Sequence, residues 1–485
     1  MRGERPNILW ICTDQQRWDT IGALGNPYVS TPNIDGLVAQ GTSFTSAYCQ
    51  SPICTPSRGS FLTGMYPSRV HVMGNGNDWF PDDPPLVTKL LRDAGYDCGL
   101  IGKLHLAGAF QRIEPRVDDG YGYWQYSHAP RDDWPEGHDY ADWVKAQGYS
   151  LKDLALSLEG VPAELHQTTW CAEKTIEFMR DHARSPWLAS VNIYDPHPPF
   201  NPPVEYRELF NPDDMPGPLF RESDLAQQAK LAEVDFQSKG RNPEELDIMN
   251  PIIPRVPGSE LDGTPSPGAR DAKSLQAAYY AMIKLIDDQV GRMLDALEET
   301  GQRDNTVVIF MSDHGEMLGD HGLIQKGCRF YEGLVRVPLI WAWPEKFAGE
   351  RQVDDLVELT DIAPALLELA GADVPENMQG RSLLPLLSGE AEGGKHREWV
   401  RCEYYNALQE PDGTYATMYR DERYKLTVYH GHDLGELYDL VEDPGEFNDL
   451  WDDPEYVEVK LALMQRSFDE SMLAMDPGPP RIGSM

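Results

Sequence analysis

Short apolar runs recur through the first three quarters of the chain. They alternate with segments whose apolar residues return every three or four positions. Residues 7–13 (NILWICT) are apolar almost throughout, which suits a strand buried on both faces. Residues 97–102, 187–194, 306–312 and 337–341 read the same way, and 42–48 reads as one further strand. Helical spacing marks 33–40, 86–94, 169–183 and 271–300, the last being the longest. A helix over 361–370 has Thr360 as its cap and Gly371 as its stop. Apolar strands alternating with helices predict an α/β fold, a large mostly parallel sheet covered on both faces.

Two stretches break this rhythm. Residues 119–148 are dense in Tyr and Trp with Gly, Asp and Pro between, and read as a long surface loop. Residues 198–270 hold many prolines and read as an insertion or lid. From about residue 390 shorter strands appear (399–405, 415–420, 424–430), followed by a helix near 453–472. The division predicted is a catalytic α/β domain over 1–389, carrying the insertion 198–270, and a smaller C-terminal α+β subdomain with a short antiparallel sheet over 390–485. No internal repeat is evident.

Composition narrows the function. The chain has 485 residues and 41% apolar content, enough for a large packed core. Its 79 acidic against 42 basic residues give a net charge of −37. That balance argues against nucleic acid and against an anionic membrane surface as partners. At first sight it argues against anionic substrates too. The cysteines are odd in number, seven, and form no CxxC pair, so neither a disulfide framework nor a zinc site is expected. The apolar run at 7–13 is too short for a secretory leader, and no stretch has the ~20 apolar residues of a membrane span. A soluble, cytoplasmic protein is the expectation.

The candidate chemistry lies where strands end. In open α/β sheets ligands bind outside the carboxyl ends of the strands. Strand 7–13 runs into Asp14-Gln15, and strand 97–102 into Lys103 with His105 two residues on. Strand 187–194 runs into Asp195-Pro-His197, and strand 306–312 into Asp313-His314. One such ending would read as a turn residue; four at equivalent places do not. Oxygen ligands with an imidazole suit one divalent metal, Ca²⁺ or Mg²⁺ ahead of Mn²⁺, and the cationic side chains suit an oxyanion. A second feature is Cys54-Thr55-Pro56-Ser57-Arg58-Gly59-Ser60-Phe61-Leu62-Thr63-Gly64. Thr55 can cap a short helix, Pro56 fits its first turn and Gly64 can end it. Cys54 would then stand just before a helix N-terminus, where negative charge is favoured.

This segment resembles the signature of the type I sulfatases, Cys-x-Pro-Ser-Arg-x-x-x-Leu-Thr-Gly, at every specified position. The resemblance extends along nearly the whole chain. It takes in Asp14, Thr31-Pro-Asn33-Ile-Asp35, Gly102-Lys103-Leu-His105 and His197-Pro-Pro-Phe200. It continues through Ser312-Asp313-His314-Gly-Glu, Lys326, Thr360-Asp361-Ile-Ala-Pro364 and Glu436-Leu-Tyr-Asp-Leu440. It implies the alkaline phosphatase superfamily and a sulfuric ester hydrolase. In that family the cysteine is converted by a separate formylglycine-generating enzyme to Cα-formylglycine.

By this resemblance Asp14, Gln15, Asp313, His314 and the oxygen on residue 54 bind the metal, with Ca²⁺ placed first. Two positions depart from the common pattern: Gln15 replaces a second Asp, and His314 an Asn. Some sulfatases of sugars and choline resemble this variant, which favours sulfated carbohydrates or small alkyl esters over aryl ones. The implied chemistry is attack on sulfur by the hydrated aldehyde at Cys54. Arg58 would hold the hydrate and the ligand carboxylates, and Lys103 and Lys326 would neutralise sulfate oxygens. His197 or Lys326 would protonate the leaving alkoxide, and His105 would take the proton that reforms the aldehyde. Glu316, Asp320 and His321 read as supports of their loop, and His128 and His138 as packing residues of the aromatic segment. Two competing readings are a phosphonate or phosphate diester hydrolase of the same superfamily and a catalytically silent binder of sulfated glycans. The pair Lys103/His105 is the feature that favours sulfate. The Pro-rich stretch at 476–480 has the reach to a neighbouring subunit in a homo-oligomer. The net charge therefore describes the outer shell, and the substrate is read from a few cations gathered at the strand ends.

Overall fold

The computed structural model describes residues 5–109, 112–129, 137–155, 160–232, 234, 240–245, 271–344, 346–347, 349–390, 395–408 and 413–476. The strands, in chain order, are β1 Asn7–Thr13, β2 Thr42–Phe44, β3 Ala47–Tyr48, β4 Asp97–Gly102, β5 Tyr123–Tyr126, β6 Trp187–Ile193 and β7 Thr306–Ser312. They continue with β8 Leu339–Ala342, β9 Arg351–Val353, β10 Val357–Glu358, β11 Val400–Tyr405, β12 Tyr415–Arg420, β13 Tyr424–His430 and β14 Leu434–Asp439. One eight-stranded sheet has the order β5-β4-β6-β1-β7-β8-β2-β9. Its pairs are parallel except that β8 runs against both β7 and β2. Strands β11 to β14 form a separate antiparallel meander.

The apolar runs explain the central position of β1, β6 and β7, whose residues are all buried. Alternate residues of β1 enter two different cores. Ile8 and Trp10 face the helices Cys54–Thr63, Val87–Asp93 and Ile362–Ala370. Leu9 and Ile11 face Pro32–Gln40, Gln167–Asp181 and Ala272–Glu299. Trp10 meets Phe61 edge-on at 5.5 Å between ring centres, which fixes the helix Cys54–Thr63 against the sheet. Truncating such a buried aromatic costs about 3–5 kcal/mol.

Three expectations are corrected and one strand is added. Residues 42–48 are not one strand: β2 lies in the large sheet, whereas β3 pairs with β10, because the chain turns between them with Thr45 bonded to Val353 and Ser46 to Val357. The aromatic stretch is not wholly a loop. It contributes the edge strand β5 and the helix Asp139–Ala146, with Trp124 stacked on Tyr126 at 5.5 Å. Aromatic residues suit a half-buried pleated surface, and that won over the Gly and Pro between them. Thr360 does not cap its helix. It lies in a preceding 3₁₀ turn, and Glu358 and Asp361 exchange the capping bonds instead. Finally, β14 contains the Glu436 motif and completes the meander.

Within the proline-rich insertion, the helices Val204–Arg207 and Glu222–Leu231 are present, and residues 246–270 lie outside the described ones. The tail after Asp476 does too. Among the described residues no helix is long and apolar enough to cross a membrane.

Candidate active site

Four neighbouring strands, β4, β6, β1 and β7, end side by side. Backbone bonds continue past the strands: Lys103 N–H donates to Asn192, Asp14 N–H to Asp195 and Asp313 N–H to Thr13. Parallel register therefore brings the strand-end residues to one rim. Gly102 is required there. Its φ is +100°, and a Cβ would lie 2.0 Å from the carbonyl oxygen of Asn192. That close approach delivers Lys103 to the rim, where its ammonium donates to Asp14 and lies 5.2 Å above the Tyr194 ring.

The helix Cys54–Thr63 begins with Cys54 itself, two positions earlier than its Thr-Pro pair suggested. Its cap is Ile53, which offers no side-chain bond, so Thr55 is not the cap. Asn75 fills that need by accepting from Thr55 N–H at 2.9 Å. Gly64, left-handed at φ 69°, ends the helix as expected. Cys54 is thus a first-turn residue, fully buried, with its Sγ 2.8 Å from Lys326 Nζ, 3.2 Å from His314 Nε2 and 3.7 Å from Asp14 Oδ1.

The ligand atoms of Asp14, Cys54, Asp313 and His314 all lie within 4.8 Å of one another, and all four residues are buried. Arg58 closes the far side. Its Nε donates to Asp313 at 2.9 Å, and one terminal nitrogen donates to the Lys103 carbonyl at 2.9 Å and to Asn192 at 3.1 Å. The other terminal nitrogen is 3.8 Å from Asp14 and lacks a hydrogen-bond partner among the described residues.

Electrostatics follow from this packing. Burial opposes charge on Asp14, yet Lys103, His197, Lys326 and Arg58 hold it well below the ordinary carboxylate range. Burial and Asp14 push the Cys54 thiol up, and Lys326, Lys103 and His314 outweigh them, so the net shift is downward. Burial pulls His314 down, but Asp313 and Cys54 raise it to about 9. Two carboxylates, an imidazole and one further donor, converging in a buried site, are a donor set that fits a divalent cation.

The other expected residues fall as follows. Gln15 lies beside the cluster. Its amide oxygen accepts from Lys326 Nζ at 2.9 Å, and its amide nitrogen donates to Glu316. His105 is buried and left-handed at φ 55°, and it meets His128 edge-on at 4.4 Å. His197 donates from Nδ1 to the Pro198 carbonyl at 2.7 Å and packs on Tyr194. Burial, with Lys103 beside His105 and Lys326 beside His197, holds both imidazoles well below the usual histidine value. His138 caps the helix Asp139–Ala146 and takes no part. Asp320 pairs with Arg17 at 2.8 Å, and His321 lies 3.4 Å from Asp224, both in loop support.

Two residues escaped the sequence reading. Asn192 is the polar interruption near the end of an apolar strand, a signal that was present in WLASVNIY. Glu114 accepts the backbone N–H groups of His105, Leu106 and Ala107 at 2.7, 2.6 and 3.0 Å. Nothing local marks it, because it acts across a loop.

The chain matches the family model described as Sulfatase over residues 6–372. A second match, described as N-sulphoglucosamine sulphohydrolase, C-terminal, covers residues 319–472. It is 30% identical over 478 residues to an arylsulfatase of Clostridium perfringens, covering 94% of this chain and 92% of that protein. It is 28% identical over 506 residues to an N-acetylglucosamine-6-O-sulfatase of Bacteroides thetaiotaomicron, covering 95% and 85%. Among solved structures, the phosphonate monoester hydrolase of Agrobacterium radiobacter superposes with a TM-score of 0.79 and 27% identity, covering 97% of this chain and 96% of that one.

Proposed function

The chain belongs to the sulfatase family of the alkaline phosphatase superfamily and is a sulfuric ester hydrolase, and we propose that it removes sulfate from a carbohydrate or small alkyl ester through a formylglycine at position 54. The observation that carries this reading is the place of Cys54: first turn of a helix, buried between Lys326, His314 and Asp14. The similarity to a sulfatase of N-acetylglucosamine supports the carbohydrate class.

One divalent cation, Ca²⁺ ahead of Mg²⁺ or Mn²⁺, would be held by Asp14, Asp313, His314 and the oxygen that replaces Sγ at position 54, with Gln15 beside them. It supplies Lewis-acid stabilisation of negative charge on the reacting oxygens. The rest is done by the chain. One hydroxyl of the hydrated residue 54, its proton given up to solvent, attacks sulfur in line; an oxygen–sulfur bond forms and the bond from sulfur to the ester oxygen breaks. Lys103 and Lys326 offset the charge on the sulfuryl oxygens, and Arg58 holds the carboxylates that face residue 54. His197 is neutral at pH 7 in the free enzyme, since burial and Lys326 disfavour its charged form. That leaves Lys326 as the acid for the departing alkoxide. His105, also neutral, takes the proton of the second hydroxyl, the aldehyde reforms and sulfate leaves.

Mass spectrometry of the peptide holding residue 54, from a host with the formylglycine-generating enzyme, tests the first step. A retained thiol together with no turnover of any sulfate ester would overturn the reading. Cys54→Ala should abolish turnover without unfolding the protein. A second reading, phosphonate monoester hydrolysis, is favoured by the similarity to the Agrobacterium enzyme. Comparing kcat/KM across sulfate, phosphonate and phosphodiester substrates decides between them, and Lys103 with His105 leads us to expect sulfate to win.

A further inference from the structure

Lys326 reaches the site on a long, flexible side chain, and something must hold it. Its ammonium meets Gln15 Oε1 at 2.9 Å, Cys54 Sγ at 2.8 Å and His314 Nε2 at 3.4 Å. The Gln15 amide can adopt only one orientation here. Its oxygen must face the ammonium, and its NH₂ must face an acceptor, which is the carboxylate of Glu316. The same carboxylate accepts the backbone N–H of Gln325, the residue before Lys326, and that of Leu318 at 3.1 Å. A closed ring results. It runs from Glu316 through the Gln325 backbone to Lys326, across to Gln15 Oε1, and back through Gln15 Nε2.

Two residues of this ring, and Leu318 bonded beside it, share a costly conformation. Gln15, Leu318 and Gln325 are left-handed, with φ of 72°, 49° and 61°. Non-glycine residues adopt that region only when their surroundings impose it. All three are bonded to the one carboxylate of Glu316, which is fully buried. A loop that needed only to close would use glycine, as the neighbouring Gly319 and Gly322 do.

We propose that Glu316 is a positioning residue: it fixes Gln15 and the Gln325–Lys326 backbone so that the Lys326 ammonium is preset over residue 54. The assignment rests on the reading above that Lys326 acts on the bound ester. Glu316 touches no reacting atom; it acts through Lys326.

The test is a double-mutant cycle with Glu316→Gln and Lys326→Met, followed by kcat and KM on a sulfate ester the enzyme turns over, with bound metal measured for each variant. Glu316→Gln keeps the shape but replaces one acceptor oxygen by a donor. It should lower kcat by about 10–100-fold with little change in KM and unchanged metal content, the usual scale for loss of an outer partner. The double variant should be no slower than Lys326→Met alone, because Glu316 has nothing left to position. Losses that multiply, or a Glu316→Gln loss explained by missing metal, would overturn the proposal. If Glu316→Gln does not fold, Gln15→Leu cuts the same ring and should give the same non-additive result. If no sulfate ester is turned over, the functional reading fails separately. Crystal structures of wild type and Glu316→Gln then still decide the positioning claim, and a Lys326 ammonium that stays on Gln15 and residue 54 in the variant would overturn it.

Discussion

Arg58 Nε donates to Asp313 Oδ2 at 2.9 Å, while the far side of the same guanidinium stands 3.8 Å from Asp14. One planar cation therefore spans the two carboxylates at the ends of β1 and β7. Both acids are fully buried, and Arg58 is 1% exposed. An ammonium cannot reproduce this, because it is a point charge without a fixed fork. Arg58→Lys should lose most activity and destabilise the fold, and Arg58→Met should cost about 3–5 kcal/mol by leaving buried charge uncompensated. Urea unfolding of the three proteins measures it, and a Lys variant equal to wild type would contradict the bridging role.

Metal removal should act in the same direction. Asp14 and Asp313 face one buried space, and His314 Nε2 is 3.8 Å from each, so an oxygen-and-nitrogen donor set converges there. Chelation followed by dialysis should abolish turnover and lower the melting temperature. Readdition of Ca²⁺ at about 100 times its Kd should restore about 2.7 kcal/mol of stability. Thermal scans with Ca²⁺, Mg²⁺ and Mn²⁺ rank the ions, and a melting temperature indifferent to all three would argue against a resident cation.

The pH dependence follows from two imidazoles. His105 and His197 are both held well below the usual histidine value by burial, with Lys103 and Lys326 adding to it. Each is needed neutral, as base or as hydrogen-bonding partner. The neutral form persists as pH falls past 6.5 and is lost only lower. The acid limb of kcat/KM should therefore break below pH 6.5, with no loss between pH 7 and pH 6.5. A break at or above pH 6.5 that His105→Asn and His197→Asn both remove would show that the imidazoles titrate normally.

Periodicity carried the central fold because β1, β4, β6 and β7 are buried on both faces, and nothing but an apolar run can occupy such places. The strand ends were legible for the same reason: Asp14, Lys103 and Asp313 are polar residues directly after apolar runs. Edge elements were less so. The strand β5 is half-exposed and mixes Gln125 with aromatics, so its composition resembles a loop. Support residues were least legible. Glu114 acts through backbone N–H groups, and which N–H groups lie nearby depends on loop closure rather than on spacing; Glu316 was legible as a support of its loop, but its bonds to Leu318 and Gln325 were not, for the same reason. The cap on the Cys54 helix is similar, since Asn75 comes from 20 residues away.

The meander β11–β14 is docked on the helix Glu332–Val335 and on β3 by a buried charge cluster, and this makes a further expectation. Lys425 of β13 pairs with Glu332 at 3.1 Å and with Glu446, while Tyr48 of β3 donates to Glu332 at 2.7 Å. Burial pushes Glu332 up, but Lys425, Arg420 and Arg336 bring it down to about 2. A carboxylate with a lowered pKa adds stability above its unfolded value of about 4.3, and loses that contribution as pH falls toward 2. Glu446, pushed up by burial, works against it. Lys425→Met removes the shared cation and leaves both acids enclosed. At pH 7 it should cost about 3–5 kcal/mol. As pH falls the acids take up protons and need the lysine less, so the gap between variant and wild type should narrow and be smallest near pH 2. Urea midpoints from pH 7 down to the lowest pH at which wild type stays folded trace this, and a gap that does not change with pH would mean that Lys425 holds the meander by packing rather than by charge.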